Sequence, residues 1–355
     1  MKNKYLLVII LSLLLLTGCS SIEIEEYAII AGIGIDYKDN EYIVTYEVYD
    51  DEQGEITSVT SKTISGQGSS VGAAIISTEI KIEEQSFLNH CRIVILSETI
   101  INNILKNVID YLIHDPRMRS LEYILISKGI SPKELLENKK KEKVLSLQLY
   151  RDIKKNKGVA GIYDNCRFVT IANSIKNERR ALVVPTITYN NLIEFTGAKI
   201  FNCCNYKKEI SNEEVLYVQL IDNLVREGLI KLNNKSLYIK DFKCKKSYKN
   251  NIMNITFDFS ILSYDNMGYD LSNILGQKLL IDDFNTMIKN KTLDILNEYQ
   301  EKEIDPFGVL DHIYDFHPLV YKKQKNIFAF YRNIKYKINV NTKIITTGFT
   351  EKNVG

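Results

Sequence analysis

The residues Leu16-Thr17-Gly18-Cys19 combine a branched side chain, two small ones and a thiol, the pattern at which a bacterial export signal is lipidated and cut. The Cys19 thiol would take a diacylglycerol as a thioether. A peptidase would then cleave between Gly18 and Cys19, where small side chains let it reach the backbone. An ordinary secretory signal with an unrelated cysteine is the alternative. Upstream, Lys2 and Lys4 form a basic start, and Tyr5 to Leu16 is an apolar run broken only by Ser12, which is the layout of an export signal. About a dozen residues at ~1.5 Å each fall short of a ~30 Å hydrocarbon core, so the run reads as a cleaved signal and not a span. Two acyl chains, at roughly 0.8 kcal/mol per buried methylene, give lasting attachment. The expected product hangs by Cys19 from the outer face of a cytoplasmic membrane.

The remaining reactive residues do not assemble into a recognisable set. None of His90, His114, His312 and His317 sits in a metal-binding spacing such as HExxH. The densest cluster, Asp311-His312-Ile313-Tyr314-Asp315-Phe316-His317-Pro318, reads either as a metal site or, more simply, as turn and surface residues. No GxSxG elbow, kinase signature or EF-hand loop is present. Ser65-Gly66-Gln67-Gly68-Ser69-Ser70 precedes a helical segment, where free N–H groups can hold phosphate. Its third glycine would fall at Val71 and it lacks the P-loop lysine, which favours a plain strand-to-helix turn. Beyond Cys19, the thiols Cys91, Cys166, Cys203, Cys204 and Cys244 are an odd remainder without CxxC spacing, which fits neither a disulfide framework nor a zinc site. Cys91 reads as a small buried hydrophobe. Adjacent Cys203 and Cys204, placed on a strand, would point to opposite faces as packing residues, with redox chemistry as the other reading. The expectation is a protein with no catalytic residues, no cofactor and no metal.

Composition bounds the partners. The 355 residues are 45% hydrophobic and 25% charged, enough for more than one core. Losing Lys2 and Lys4 with residues 1–18 brings the formal charge from +2 to 0, so no global basic surplus argues for nucleic acid. Lys139-Lys140-Lys141, Lys154-Lys155 and Lys322-Lys323 read as solvated loops. Tyrosine is abundant (22) and tryptophan absent; most of these rings should fill sheet faces, and some could anchor a recognition surface.

The elements that would position such groups alternate between strands and helices. Tyr27–Asp36 is a buried, glycine-punctuated strand, and Tyr42, Val44, Tyr46 and Val48 alternate behind an Asp39-Asn40 turn, making a hairpin. Ile56–Ile64 suits a strand, and Gly72–Ile80 a helix. Ile93–Leu96 is a strand, after which Ser97 should cap a helix carrying Ile101, Leu105, Val108 and Leu112, stopped by Asp115-Pro116. Leu121–Ile126 is another strand, and Ser131-Pro132-Lys133-Glu134 a capping box. From Lys139 to about Asn177 the periodicity weakens. Pro185 and Asn190-Asn191 then place a domain boundary near residue 190. Beyond it come a strand at Phe195–Phe201 and a capping box at Ser211–Glu214. Two one-sided strands follow, at Met253–Ile261 and Ile334–Val340, flanking a helix from Ile274 to Gln300 lined by Ile281, Phe284, Ile288 and Ile295. This order predicts an α+β, multi-domain protein, its second half a one-sided antiparallel sheet under helices, divided as 1–18 signal, 19–190 and 191–355.

Along nearly its whole length the chain resembles the C subunits of the nutrient germinant receptors of endospore-forming bacteria, the Ger(x)C-type spore germination lipoproteins (GerAC family). The resemblance runs through the lipobox at Cys19, Glu25–Asp36, Ser65-Gly66-Gln67-Gly68, His90–Ser97, Asp110–Arg119, Ser131–Leu136 and Gly197-Ala198-Lys199-Ile200-Phe201. It continues through Lys302–Pro318, with Asp305-Pro306-Phe307-Gly308 and His317-Pro318, to Ile344–Gly348. Where the family commonly has Trp-Asp after the lipidated cysteine and a tryptophan after the His-Pro step, this chain has Ser20-Ser21 and Tyr321. The resemblance implies a non-enzymatic subunit on the outer face of the inner spore membrane. Its lipid on Cys19 would be its membrane contact, and its partners would be the A-type and B-type receptor subunits, with a three-domain α+β fold. The competing expectation is a solute-binding lipoprotein of an importer, which needs two similar α/β lobes around a hinged cleft. A third, a cell-envelope hydrolase, lacks its catalytic set.

Overall fold

The computed structural model describes residues 26–50, 60–101, 104–118, 122–138, 144–177, 179–232, 235–263 and 269–345; the signal run, the lipobox with Cys19 and Lys139-Lys140-Lys141 lie outside them. β1 (Tyr27–Lys38) and β2 (Glu41–Asp50) form the expected hairpin. Asp39 and Asn40 stand at φ 53° and 63°, the left-handed pair that a two-residue hairpin turn requires. β3 (Thr60–Gly68) adds antiparallel to β2. On the other side, β4 (Gln85–Phe87) and β5 (Ile93–Ser97) pair parallel with β1, and β6 (Tyr123–Ser127) and β7 (Leu182–Asn190) extend the parallel run. β8 (Leu192–Asn202) and β9 (Asn205–Ile210) close it antiparallel. The nine-stranded sheet runs β3-β2-β1-β5-β6-β7-β8-β9, with β4 beside β1.

β5 and β6 are buried throughout, as their unbroken apolar runs demand of parallel strands covered on both faces. One face carries α1 (Val71–Glu79) and α2 (Leu105–His114); the other carries α3 (Pro132–Glu137) and α4 (Leu145–Lys155). α5 (Phe168–Asn177) returns to the first face through Phe168 and Ile171. Glycines in the strands let these helices approach. A Cβ on Gly34 would stand 2.8 Å from the Pro132 ring, and one on Gly66 2.3 Å from the Thr78 nitrogen.

The second sheet, β10 (Gly228–Leu232), β11 (Lys235–Lys249), β12 (Ile252–Ser263) and β13 (Lys335–Ile344), is joined to the first through α6 (Asn212–Ile221). Between β12 and β13 the chain runs through α7 (Ile274–Glu301), α8 (Val309–Phe316), α9 (Pro318–Lys322) and α10 (Ile327–Arg332). Met253, Ile255, Phe257, Phe259 and Ile261 are all buried under these helices, on the face their alternation predicts. They belong to one hydrophobic cluster with Ile93, Leu125, Val183 and Ile200 of the first sheet, so the two sheets share a core.

Several expectations are corrected. The sheet of the second half is mixed: β10, β11 and β12 are antiparallel, but β13 lies parallel to β12 because four helices carry the chain back to the sheet's starting end. No helix is capped at Ser97; its hydroxyl bonds Thr99 at 2.6 Å, a 3₁₀ turn covers Glu98–Ile100, and α2 starts at Leu105. Ser65–Gly68 is strand and not turn, and the stretch of weak periodicity holds α4 and α5. The buried stripe of α7 is Gly276, Leu280, Phe284, Ile288, Thr292 and Leu296, with Ile281 and Ile295 on its flank. The expected division near residue 190 falls at the β7–β8 hairpin, where Asn191 adopts φ 61°.

Glu47 on β2 is fully buried and replaces a conventional cap for α4. Its carboxylate accepts from the Leu145 and Ser146 N–H groups at 2.7 and 2.8 Å and from the Ser61 hydroxyl at 2.9 Å. Glu47→Ala strands both N–H groups and should lower stability by roughly 2–4 kcal/mol, with Glu47→Gln in between, as read by urea denaturation.

Candidate functional site

Cys19, the one site residue the sequence predicts, lies outside the described residues, and the described body begins at exposed Glu26, seven residues on. Within the body, the charged groups that converge are Arg180, Asp222, Lys246 and Asp305, from four separate segments. Arg180 precedes β7, Asp222 follows α6, Lys246 is on β11, and Asp305 opens the Asp305-Pro306-Phe307-Gly308 step between α7 and α8.

The Asp-Pro-Phe-Gly step is built to be gripped. Asp305 turns back on its own loop: its carboxylate accepts from the Phe307 and Leu310 N–H groups at 3.2 and 2.7 Å, tying down the start of α8. Its carbonyl accepts from the Ala181 N–H at 2.9 Å, across the two sheets. Phe307 is fully buried with its ring 5.3 Å from that of Tyr299, and Gly308 takes the left-handed φ of 66° that starts the helix. The carbonyls of this buried turn meet cations: Arg180 donates to Pro306 O at 3.1 Å and Lys246 to Phe307 O at 3.1 Å. Arg180 also forms a short ion pair with Asp222, both side chains largely buried. Lys246 lies 3.9 Å from the same carboxylate.

Burial pushes the Asp305 carboxyl up to about 6, against the loop N–H groups and Arg180, which favour its charge. Asp222 raises the already basic Arg180 further, so its cation is permanent. A rise from the unfolded value near 3.8 means that ionising Asp305 opposes folding: its stabilising contribution is complete below about pH 4 and lost as pH climbs through 6.

The Asp311–Pro318 cluster does not converge on a metal. Asp311 is held by Arg179 at 3.1 Å, and that guanidinium lies 3.9 Å over the Tyr314 ring. His312 packs on Phe316 and His317 on Tyr248, with centroids 4.7 and 5.5 Å apart. Burial, with Lys246 and His317 nearby, lowers the basicity of His312. Among the described residues no group of three His, Cys, Asp or Glu could hold a metal ion. Cys203 and Cys204 are corrected: they form the left-handed turn of the β8–β9 hairpin, at φ 48° and 70°, and are not strand residues on opposite faces. None of the described thiols is in a disulfide, and burial pushes Cys204 up to about 11 and Cys244 up to about 12, the reverse of a reactive cysteine. A cavity of about 210 Å³ between α6 and α7, walled by Glu213, Glu214, Asp294 and Lys291, contains no nucleophile–base pair. The sequence pointed to Asp305–Gly308 through the family resemblance alone; Arg180, Asp222 and Lys246 carried no local signal, because their meeting depends on sheet topology.

Two α+β units on a common core, tied by a largely buried ionic clasp, define the class of fold. Comparison with known families is specific. Residues 20–189 match the family described as spore germination protein N-terminal domain, and residues 196–348 match the spore germination B3/GerAC-like C-terminal family. The chain belongs to the GerAC family of spore germination proteins, whose members are C subunits of germinant receptors acting in spore germination. It is similar to spore germination protein A3 of Bacillus subtilis (strain 168), 23% identical over 264 residues, 70% of each chain. The crystal structure of the GerBC protein superposes with a TM-score of 0.58 at 17% identity, covering 89% of this chain and 97% of that one. The two models change over at the β7–β8 hairpin.

Removing one partner from the clasp isolates a buried cation. Asp222→Ala should cost about 3–5 kcal/mol, whereas Asp311→Ala, at a partly exposed pair, should cost less than about 1 kcal/mol, both by urea denaturation. Between pH 7 and pH 4 the stability of the wild type relative to Asp305→Asn should rise by up to about 3 kcal/mol, read from urea midpoints at each pH.

Proposed function

We propose that the chain is a lipid-anchored, non-enzymatic subunit that supports assembly and signal relay in a nutrient germinant receptor of the spore. In this reading residues 1–18 are a signal peptide, and Cys19 carries the diacylglyceryl thioether and an N-acyl chain. Residues 19–190 and 191–355 are the two working regions. The body sits on the outer face of the inner spore membrane beside the A-type and B-type subunits. The observation that carries the reading is the ordered match of both family models over nearly the whole chain. Three features support it: the lipobox before Cys19, the buried thiols of Cys91, Cys166 and Cys204, and charged groups spent on internal ties. Among the described residues no helix is long and apolar enough to cross a membrane, so in this reading attachment falls to the lipid. The importer alternative required two similar lobes; one nine-stranded and one four-stranded sheet on a common core do not supply them.

The test is genetic and chemical. Deleting the gene in its spore-former should abolish germination with one nutrient class and leave solute uptake intact; unchanged germination would reject the proposal. Cys19→Ala should block palmitate incorporation and reduce receptor function to near the deletion level.

A further inference from the structure

The outer face of the second sheet is strongly basic, and the register shows how. Past the bulge that follows Ile239, the outward positions on β11 are Asp241, Lys243, Lys245, Ser247 and Lys249; on β13 they are Lys335, Lys337, Asn339, Asn341 and Lys343. Between them β12 contributes Asn254, Thr256, Asp258 and Ser260. All six lysines are exposed. Against them stand two aspartates, one of which, Asp258, already accepts from Asn341 at 2.8 Å and pairs with Lys245 at 3.4 Å. A surplus of four positive charges on one open face is not a sample of the whole, since the chain has 46 basic and 44 acidic side chains. Lysines on the edge strand β13 also discourage edge-to-edge pairing, but that role does not call for three more on β11.

We infer that this face rests on an anionic bilayer surface, so that the body lies against the membrane to which its N-terminus is tied. Charge complementarity and the composition of the face select this occupant. Its outward positions from Asp241 to Lys249 on β11 and along β13 hold no apolar or aromatic side chain. Tyr238 stands at the other end of β11, its hydroxyl donating to Glu227 at 2.8 Å. Lysine is depleted from the centres of protein interfaces, where aromatic residues and arginine dominate. Nucleic acid would call for aromatic or arginine contacts interleaved with the lysines, and the lysine-bearing part of the face has none. A flat array of flexible ammonium groups suits lipid phosphates, which a headgroup layer presents without fixed register. The inference rests on the membrane-tethered reading of the chain.

Lysine footprinting tests it with the full acylated protein. The protein is reconstituted on phosphatidylcholine vesicles and on vesicles containing phosphatidylglycerol, and acetylation by a small reagent is followed by mass spectrometry. Flotation on the neutral vesicles reports the anchor, independently of the face. On phosphatidylglycerol, Lys243, Lys245, Lys249, Lys335 and Lys337 should be acetylated at least fivefold more slowly than on phosphatidylcholine. Lys278 and Lys289, exposed on α7, should not change, and 0.5 M KCl should remove the difference. A Lys243→Glu/Lys245→Glu/Lys337→Glu variant with an unchanged thermal midpoint should lose protection at the remaining lysines. Equal labelling on both vesicle types overturns the inference, as does equal protection of the α7 lysines. So does protection that arises only when the other receptor subunits are added, which would assign the face to a protein.

Discussion

The largely buried guanidinium of Arg180 ties the two halves together across their shared core. Arg180 enters at the start of β7, in the first sheet, and finds its partners in Asp222 after α6 and in the carbonyl of Pro306 between α7 and α8. A guanidinium cannot shed its proton, so once the fold dehydrates it every acceptor must be in place or the structure pays the desolvation of an unpaired charge. That requirement couples three distant stretches of sequence. It explains why Asp305-Pro306-Phe307-Gly308 has such a constrained form: proline contributes a carbonyl with no competing N–H, phenylalanine plugs the core against Tyr299, and glycine takes the left-handed turn that starts α8. The clasp is a specifier of geometry more than a source of net stability, since buried ion pairs roughly offset their own dehydration.

Much of the fold was legible because local chemistry and tertiary structure agree. The Asp39-Asn40 turn, the capping boxes at Ser131 and Ser211 and the one-sided alternation of β12 and β13 each follow from side chains a few residues apart. What was missed depends on distance. Glu47 caps a helix almost a hundred residues away, so α4 has Val144 before its first residue and no capping side chain of its own. The parallel pairing of β13 is set by the length of the helical return, which alternation cannot encode. Cys203 and Cys204 adopt left-handed angles that cysteine rarely takes, so a strand was the natural reading of the sequence around them. For the site, the sequence supplied the motif at residue 305 without its partners, and Cys19 without its surroundings.

The family motifs acquire physical meanings that differ from their first appearance. Ser65-Gly66-Gln67-Gly68 looks like a loop for phosphate, yet it is the end of β3, stripped of side chains so that α1 can lie directly on the backbone. Asp115-Pro116 stops α2 and also presents Asp115 to Arg117, whose guanidinium bridges on to Glu79 at 2.7 Å and so fastens α2 to α1. Lys199, in the Gly197–Phe201 strand, joins Glu98 at 2.9 Å and Glu209 at 3.1 Å across β8 and its neighbours. Each motif holds one layer to the next.

Stiffness follows from this arrangement and bears on how such a body could pass a signal. A hinge would need a linker with few contacts, but the chain crosses from one half to the other inside a β-hairpin. The hydrophobic cluster also runs without a gap from Ile93 and Leu125 to Phe257 and Phe284. Packed interiors of this kind transmit strain and resist bending. A displacement imposed at one sheet must therefore move the other with it, or break the Arg180 clasp and expose a charge. On the proposed reading, a body of this kind tethered through Cys19 would pass a signal by changing its position against its neighbours rather than by opening and closing.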